Sequence, residues 1–446
     1  MKHLICIVAA CLLSACGKDW LATKPDKALV VPLAVSDYQS LLNNNLFTSN
    51  DAASFGELGA DDLYFTDADY LSLTQWEQKP YTWAREDFYP DNVNTSWRYA
   101  YQRVLKSNVV LDGLDQLTSE KGSAAWNNAK ANALFYRAFA FHQLASLFCQ
   151  PFVTGQTEDM PGIPLPLRSD INAPIFRSTV AETYRQIITD LNEAHTLLPE
   201  VPANKLRPGK QAADALLARV FLTMEDYEQA LLHAERALEG AGSLLPYHQV
   251  SSAPVYPFVI FNDEVIYHSG GINYGALRKS FIDQTLYDSY GQGDLRKLLF
   301  FTLVNNQPRF RGHYGGNHIL FSGLALDEMY LIAAESSIRT GHASAGLAHL
   351  NVLLAQRWDP SLFTPIQESD PERLLATVLD ERRKELLFRG VRWTDLRRLN
   401  RDPRFAKTIN RVVLGEKIEL ASDDMRYVLP IDEEEIRLTG MEQNPR

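Results

Sequence analysis

Cysteine is scarce in this chain: four in 446 residues, three of them (Cys6, Cys11 and Cys16) within the first sixteen. A disulfide-stapled scaffold is therefore excluded, because such folds concentrate cysteines in a short chain. Glycine and proline are also modest, 24 and 22 residues, which excludes collagen-like and low-complexity classes. Basic residues are outnumbered, 44 Lys and Arg against 55 Asp and Glu, for a formal net charge of −11. Nucleic acid is a poor partner for such a chain, since phosphate binding needs a basic face. Beyond residue 13 no apolar run approaches the roughly 18–20 residues of a membrane-spanning helix, so the remainder reads as soluble. Catalytic signatures are missing too: the sequence has no G-x-S-x-G, H-E-x-x-H, Walker A, C-x-x-C or G-x-G-x-x-G.

The N-terminus reads as an address. Lys2 and His3 form a short positive region, and residues 4–13 form an apolar run too short to span a bilayer but suited to a secretory signal. It ends in Leu13-Ser14-Ala15-Cys16, the pattern of a bacterial lipobox, with cleavage after Ala15 and lipidation of Cys16. Two or more acyl chains anchor a protein stably, so the mature chain is expected to be tethered, not spanning. Residues 16–34, with Lys18, Asp19, Pro25 and Pro32, read as an extended leader.

Helical periodicity dominates the rest, with no linker dividing it, so residues 35–446 read as one mainly α domain. Segments 93–117, 124–148 and 179–198 carry helical spacing, and the third opens on a capping box at Thr179 and Glu182. Residues 210–224 and 227–239 fit the roughly 34-residue tetratricopeptide pattern, with Leu217, Ala218, Phe221, Tyr227, Ala230 and Ala237 at its packing positions. A looser copy spans 325–354 around Gly341. Since a repeat cannot hide its own core, further pairs must stack beside it. Residues 244–321 differ: 255–267 is rich in β-forming residues, and glycines mark loops, so this is an irregular insertion with short strands. Residues 371–389 form a charged helix. The tail 427–446 reads as irregular.

Several stretches, in order along nearly the whole mature chain, resemble the SusD/RagB family, the surface lipoproteins that partner TonB-dependent transporters in Bacteroidetes. They are Cys16 with Asp19 and Leu21; Glu57 followed by Asp61-Asp62; Tyr136-Arg137-Ala138-Phe139 with Gly162-Ile163-Pro164-Leu165; 180–199; and the repeat at 212–237. The most specific block is Glu381-Arg382-Arg383-Lys384-Glu385-Leu386, Gly390, Arg392-Trp393 and Asp395-Leu396-Arg397-Arg398. Tyr427-Val428-Leu429-Pro430 and Gln443-Asn444-Pro445 close the match. Arg389 stands where the family often has Glu. Guanidinium is a planar five-donor fork, and a structural role is expected for the block, with Glu381, Glu385 and Asp395 pairing Arg382, Arg392 and Arg397.

The resemblance implies a non-catalytic protein on the outer membrane, surface-exposed, that binds oligosaccharide and delivers it to a SusC-like TonB-dependent transporter, sitting as a lid with its repeat face toward the barrel. An oligopeptide ligand, as in RagB-like proteins, is the alternative; a surface glycosidase and a protein-only adaptor are weaker ones. No cofactor is implied besides the lipid on Cys16. Asp61, Asp62, Asp67 and Asp69 offer carboxylates to calcium but lack EF-hand spacing, and His313 with His318 makes a poor metal pair. Aromatic side chains are abundant, 7 Trp, 19 Tyr and 21 Phe. Those in polar or Gly-rich loops are the candidate stacking surfaces: Trp76, Tyr81, Trp83 and Tyr89 in the first loop region, Tyr274, Tyr287, Tyr290 and Tyr314 in the insertion. Trp76, Tyr81, Trp83, Tyr287 and Tyr290 lead, with Asp62 and Arg278 as polar anchors. Replacing Cys16→Ser is expected to abolish metabolic lipid labelling and release the protein from membranes; retention in the membrane fraction would show that another element anchors it.

Overall fold

A computed structural model describes residues 32–86, 88–90 and 94–446. The expected signal peptide, Cys16 and most of the leader lie outside the described residues. Among those residues, nine helices reach eight residues or more: α1 (Thr95–Gln116), α2 (Ala124–Phe148), α3 (Val180–Leu197), α4 (Lys210–Thr223), α5 (Tyr227–Leu238), α6 (Leu326–Arg339), α7 (Ala343–Ala355), α8 (Pro371–Glu385) and α9 (Arg392–Leu399). Each of α1 to α7 packs on its neighbour in sequence, and α8 lies against α6. The result is the stacked, tetratricopeptide-like helical row that the sequence implies.

Local chemistry sets the helix ends. Asn94 caps α1 and Ser123 caps α2 by accepting the Trp97 and Trp126 N–H groups, at 3.0 and 3.2 Å. The box at α3 forms as expected: Thr179 Oγ1 accepts the Glu182 N–H at 3.1 Å, and Glu182 accepts the Thr179 N–H at 2.8 Å. From Ala131 to Phe148 every residue of α2 is buried, which explains its lack of a polar stripe; it is the central post of the body. Arg137, within it, makes a bidentate pair with Asp190 of α3 (both 2.7 Å) and donates to Asn108 of α1 (2.9 Å). One guanidinium thus fixes three helices.

In the α4–α5 pair, Ala218, Ala230, Ala234 and Ala237 are fully buried, so the two backbones approach closely. Phe221 stacks on His233 with centroids 5.5 Å apart. The second pair, α6–α7, turns at Gly341, whose φ of +87° suits glycine.

Between α5 and α6 the chain leaves the row. Its strands form only two-stranded pairs. Of the β-rich stretch at 255–267, only Val265–Tyr267 becomes a strand, antiparallel to Leu324–Ala325. Pro254 and Pro257 deny it ladder donors, and Val255 and Val259 lie exposed without a partner strand. The tail departs from expectation as well. It contains the helix Glu433–Thr439, and Asn444 donates to the carbonyls of Phe148 and Leu429, each at 2.8 Å, closing the chain end onto α2.

The charged block of α8 and α9 is structural, but its pairing differs from the expectation in two respects. Arg382 does bond Asp395, at 2.8 Å. Glu381 and Glu385 turn instead to Arg296, at 2.5 and 3.0 Å, where Asp294 joins them at 2.7 Å. Glu385 also takes Arg357 at 2.7 Å, which reaches Glu264 at 2.9 Å. Arg392 pairs with Asp61, and Arg397 donates to the Ser146 and Cys149 carbonyls. The physical reason is reach: these partners come from segments far away in sequence, which no helix-local spacing reveals. Arg296 and Arg357 are fully buried. Replacing Arg296→Met is expected to leave three buried carboxylates short of a counter-charge and to destabilise the protein by about 3–5 kcal/mol, read from the urea midpoint.

Candidate ligand-binding face

Two loop regions meet because Leu63–Tyr64 pairs antiparallel with Phe281–Ile282, Leu63 opposite Ile282 and Tyr64 opposite Phe281. The Asp283 N–H extends the junction by donating to the Asp62 carbonyl at 2.9 Å. A second tie lies beside it. The short helix Gln75–Tyr81 opens on a capping box of Thr74 and Glu77, and the free oxygen of Glu77 accepts the Ala276 N–H at 2.8 Å. This carboxylate therefore caps one segment and holds the next.

On this junction lie three of the candidates. Trp76 is half-buried and edge-on to Tyr274, centroids 6.2 Å apart. Arg278 is exposed at the end of the short helix Gly275–Lys279. Tyr287 is half-buried, edge-on to Phe301 at 5.2 Å and covered on one side by the Lys297 ammonium at 4.5 Å. Residues outside the expectation join them. Tyr64 is half-buried beside Phe281, and its hydroxyl accepts from Gln307 at 2.9 Å. Gln307 follows the turn at Asn305 and Asn306, both at positive φ, in the hairpin of Phe301–Val304 and Gln307–Phe310. An Asn-Asn pair between strand-like runs is a hairpin signal, and would have placed Gln307.

The other candidates are corrected by their burial. Tyr81 and Trp83 are each 2% exposed; they hold the Arg411 guanidinium, 3.9 and 4.5 Å from their ring centroids. The Trp83 indole N–H donates to the Gly59 carbonyl at 3.0 Å. Tyr290, 1% exposed, donates to the Lys384 carbonyl at 2.8 Å. Tyr89, Tyr274 and Tyr314 are buried too. None of these rings presents a face to a ligand. Asp62 is not a free anchor either: it is buried and bonded to Arg383 at 2.7 Å.

The acidic quartet is held by protein donors. Asp61 meets Arg392 at 2.7 Å and Lys407 at 2.6 Å. Burial alone would raise its pKa, but Arg392 and Arg383 outweigh burial and hold it well below the carboxylate range. Asp67 accepts the Leu414 N–H at 2.9 Å and Asp69 the Thr66 hydroxyl at 2.7 Å. His313 is buried while His318 is exposed.

A wide groove lies elsewhere, about 680 Å³ between α1 and the 164–178 loop, walled by Leu105, Pro166, Ile175 and Phe176 among others. Two polar groups of its wall are engaged, Tyr101 donating to the Pro164 carbonyl at 2.9 Å and Asn108 to those of Pro166 and Arg168, while Arg98 and Gln102 stand exposed along it.

Comparison with known proteins matches this sequence and fold to a family. A family model described as "Starch-binding associating with outer membrane" matches residues 19–222, and the SusD family model matches residues 324–446. SusD-like protein P2 of Formosa agariphila is 29% identical over 144 residues, 32% of this chain and 26% of that protein, so the match spans about a quarter of that relative's length. A SusD superfamily protein of Bacteroides thetaiotaomicron superposes with a TM-score of 0.75 at 22% identity, covering 93% of this chain and 100% of its own. A laminarin-binding SusD-like protein superposes with a TM-score of 0.65 at 19% identity, covering 92% and 99%.

Glu57, in the same early loop, supplies a pH test. Burial, then the nearby Asp62 charge, pushes its pKa from an ordinary 4.5 up to about 8, against the hydrogen bonds of the Gly390 and Arg392 N–H groups and the Arg392 charge. The folded state therefore holds a proton that the unfolded state has released. Its stabilising contribution is full below about pH 4.5 and is lost as the pH rises to about 8. Glu57→Gln keeps the acceptor for Gly390 and is expected to flatten the fall in stability across that window, followed by urea denaturation at stepped pH.

Proposed function

The chain belongs to the SusD/RagB family, and from that premise we propose that it is a non-catalytic surface lipoprotein that captures an oligosaccharide and passes it to a SusC-like TonB-dependent transporter. The observation that carries the reading is the face around the Leu63–Tyr64 and Phe281–Ile282 junction. There, half-exposed rings (Tyr64, Trp76, Tyr287) stand among hydrogen-bonding groups (Arg278, Lys297, Gln307). A flat ring stacks on the apolar face of a pyranose, while charged and amide groups bond its hydroxyls. A pre-formed face with a few polar groups suits binding without chemistry. The laminarin-binding neighbour and the starch-binding description of the family model support a glycan over a peptide. In this reading the lipid on Cys16 holds the protein to the outer membrane, and the helical row faces the transporter barrel.

Calorimetry of the mature chain against a panel of glucans, other glycans and peptides tests the reading. Trp76→Ala and Tyr287→Ala are each expected to weaken glycan binding by about 1 kcal/mol or more, with the circular dichroism spectrum unchanged. Unchanged affinity in both would remove this face as the site. Binding of peptides alone would favour the RagB-like alternative, and turnover of a bound glycan would make the protein an enzyme.

A further inference from the structure

A second, smaller pocket lies in the interior junction of the fold, away from the rings just described. Its volume is about 20 Å³, room for one atom-sized guest, since a single water needs roughly 10–15 Å³. It sits where α2, α4, α8 and α9 converge, between His142 and Ser146 on α2, Arg219 and Thr223 on α4, and the Arg382–Arg398 stretch.

Its charge is one-sided. Four guanidinium groups line it, Arg219, Arg382, Arg389 and Arg398, against one carboxylate, Asp395. The remaining counter-charges, Glu328 for Arg219, Asp327 for Arg389 and Glu335 for Arg398, are not among the lining residues. Three of the four guanidinium groups thus have a carboxylate partner outside the lining, and Asp395 within it serves Arg382 and Arg398. Two guanidinium nitrogens of this set, Arg382 Nη1 and Arg389 Nε, are buried without a protein acceptor, which is expensive for a charged donor. Asp395 is bonded by Arg382 Nε and Arg398 Nε at 2.8 and 3.0 Å. Gln143 Oε1 already accepts the Ala52 N–H at 2.9 Å. His142, near Thr223 at 3.4 Å, adds no positive charge, since burial and then the Arg219 charge lower its pKa to about 3.

From the pocket's size, its surplus of donors and its one-sided charge, we propose that it binds a single small inorganic anion of halide size, chloride under ordinary conditions. A halide accepts from several guanidinium donors at once, whereas a water must also place its own two protons. Sulfate and phosphate are too large for the volume.

The test uses the mature chain. Crystals in sodium bromide are expected to show an anomalous peak in the pocket among these arginines. Density there with no anomalous signal would identify a water and overturn the proposal. In solution at constant ionic strength, exchanging gluconate for chloride is expected to raise the Tm saturably in the wild type, and not in Arg382→Met. Equal chloride responses in the two proteins, or none in either, would overturn it. If Arg382→Met does not fold, the bromide experiment on the wild type decides alone.

Discussion

The fold rests on guanidinium–carboxylate pairs shut inside it. Arg296 collects Asp294, Glu381 and Glu385; Arg357 takes the second oxygen of Glu385 and reaches Glu264. These six groups join two parts of the insertion, the segment after α7, and α8. A buried pair adds little net stability, because desolvation offsets most of the attraction. Its effect here is positional. The planar fork meets a carboxylate well in only a few orientations, so the segments that carry these groups have few ways to pack. Burial pushes Glu264 up to about 7 despite Arg357, with Asp327 and Glu385 adding to the rise, which shows how dry the junction is.

That dependence explains what the sequence disclosed and what it withheld. The helices were legible because each carries its own evidence: a cap at Thr179, alanines at Ala218, Ala230 and Ala237, a glycine turn at Gly341. The role of the charged block was legible as structural. Its partners were not, since Glu381 and Glu385 look within their own helix to be solvated or locally paired. Lys384 does pair with Glu381 on the same helix, but the other counter-charges lie at Arg296 and Arg357, in parts of the chain with no visible relation to α8.

The ligand face divides the same way. Trp76 and Tyr287 remain at the surface, while Tyr81, Trp83 and Tyr290, in equally polar sequence, are internal. The difference is made by distant chain: the hairpin of Ile409–Val413 and Glu416–Leu420 delivers Arg411 between Tyr81 and Trp83, and α8 supplies the carbonyl that holds Tyr290. Loop composition says only that a ring has polar neighbours in sequence. Whether another segment covers it is a tertiary fact. Tyr64 escaped notice for the converse reason, standing beside a motif that drew attention to its carboxylates.

The pairing of Leu63 with Ile282 also sets a clock. A ribosome adds about 5–20 residues per second, so roughly 10–45 s pass between synthesis of the two strands. The guanidinium partners of Asp61 and Asp62, at Arg383 and Arg392, come later still. Until they emerge, Glu57, Asp61 and Asp62 form a cluster of negative charge with no local cation to quench it. The early loop region thus takes its native charge balance from guanidinium groups 321 and 331 residues further along the chain, so its packing is complete only when both ends of the polypeptide are present.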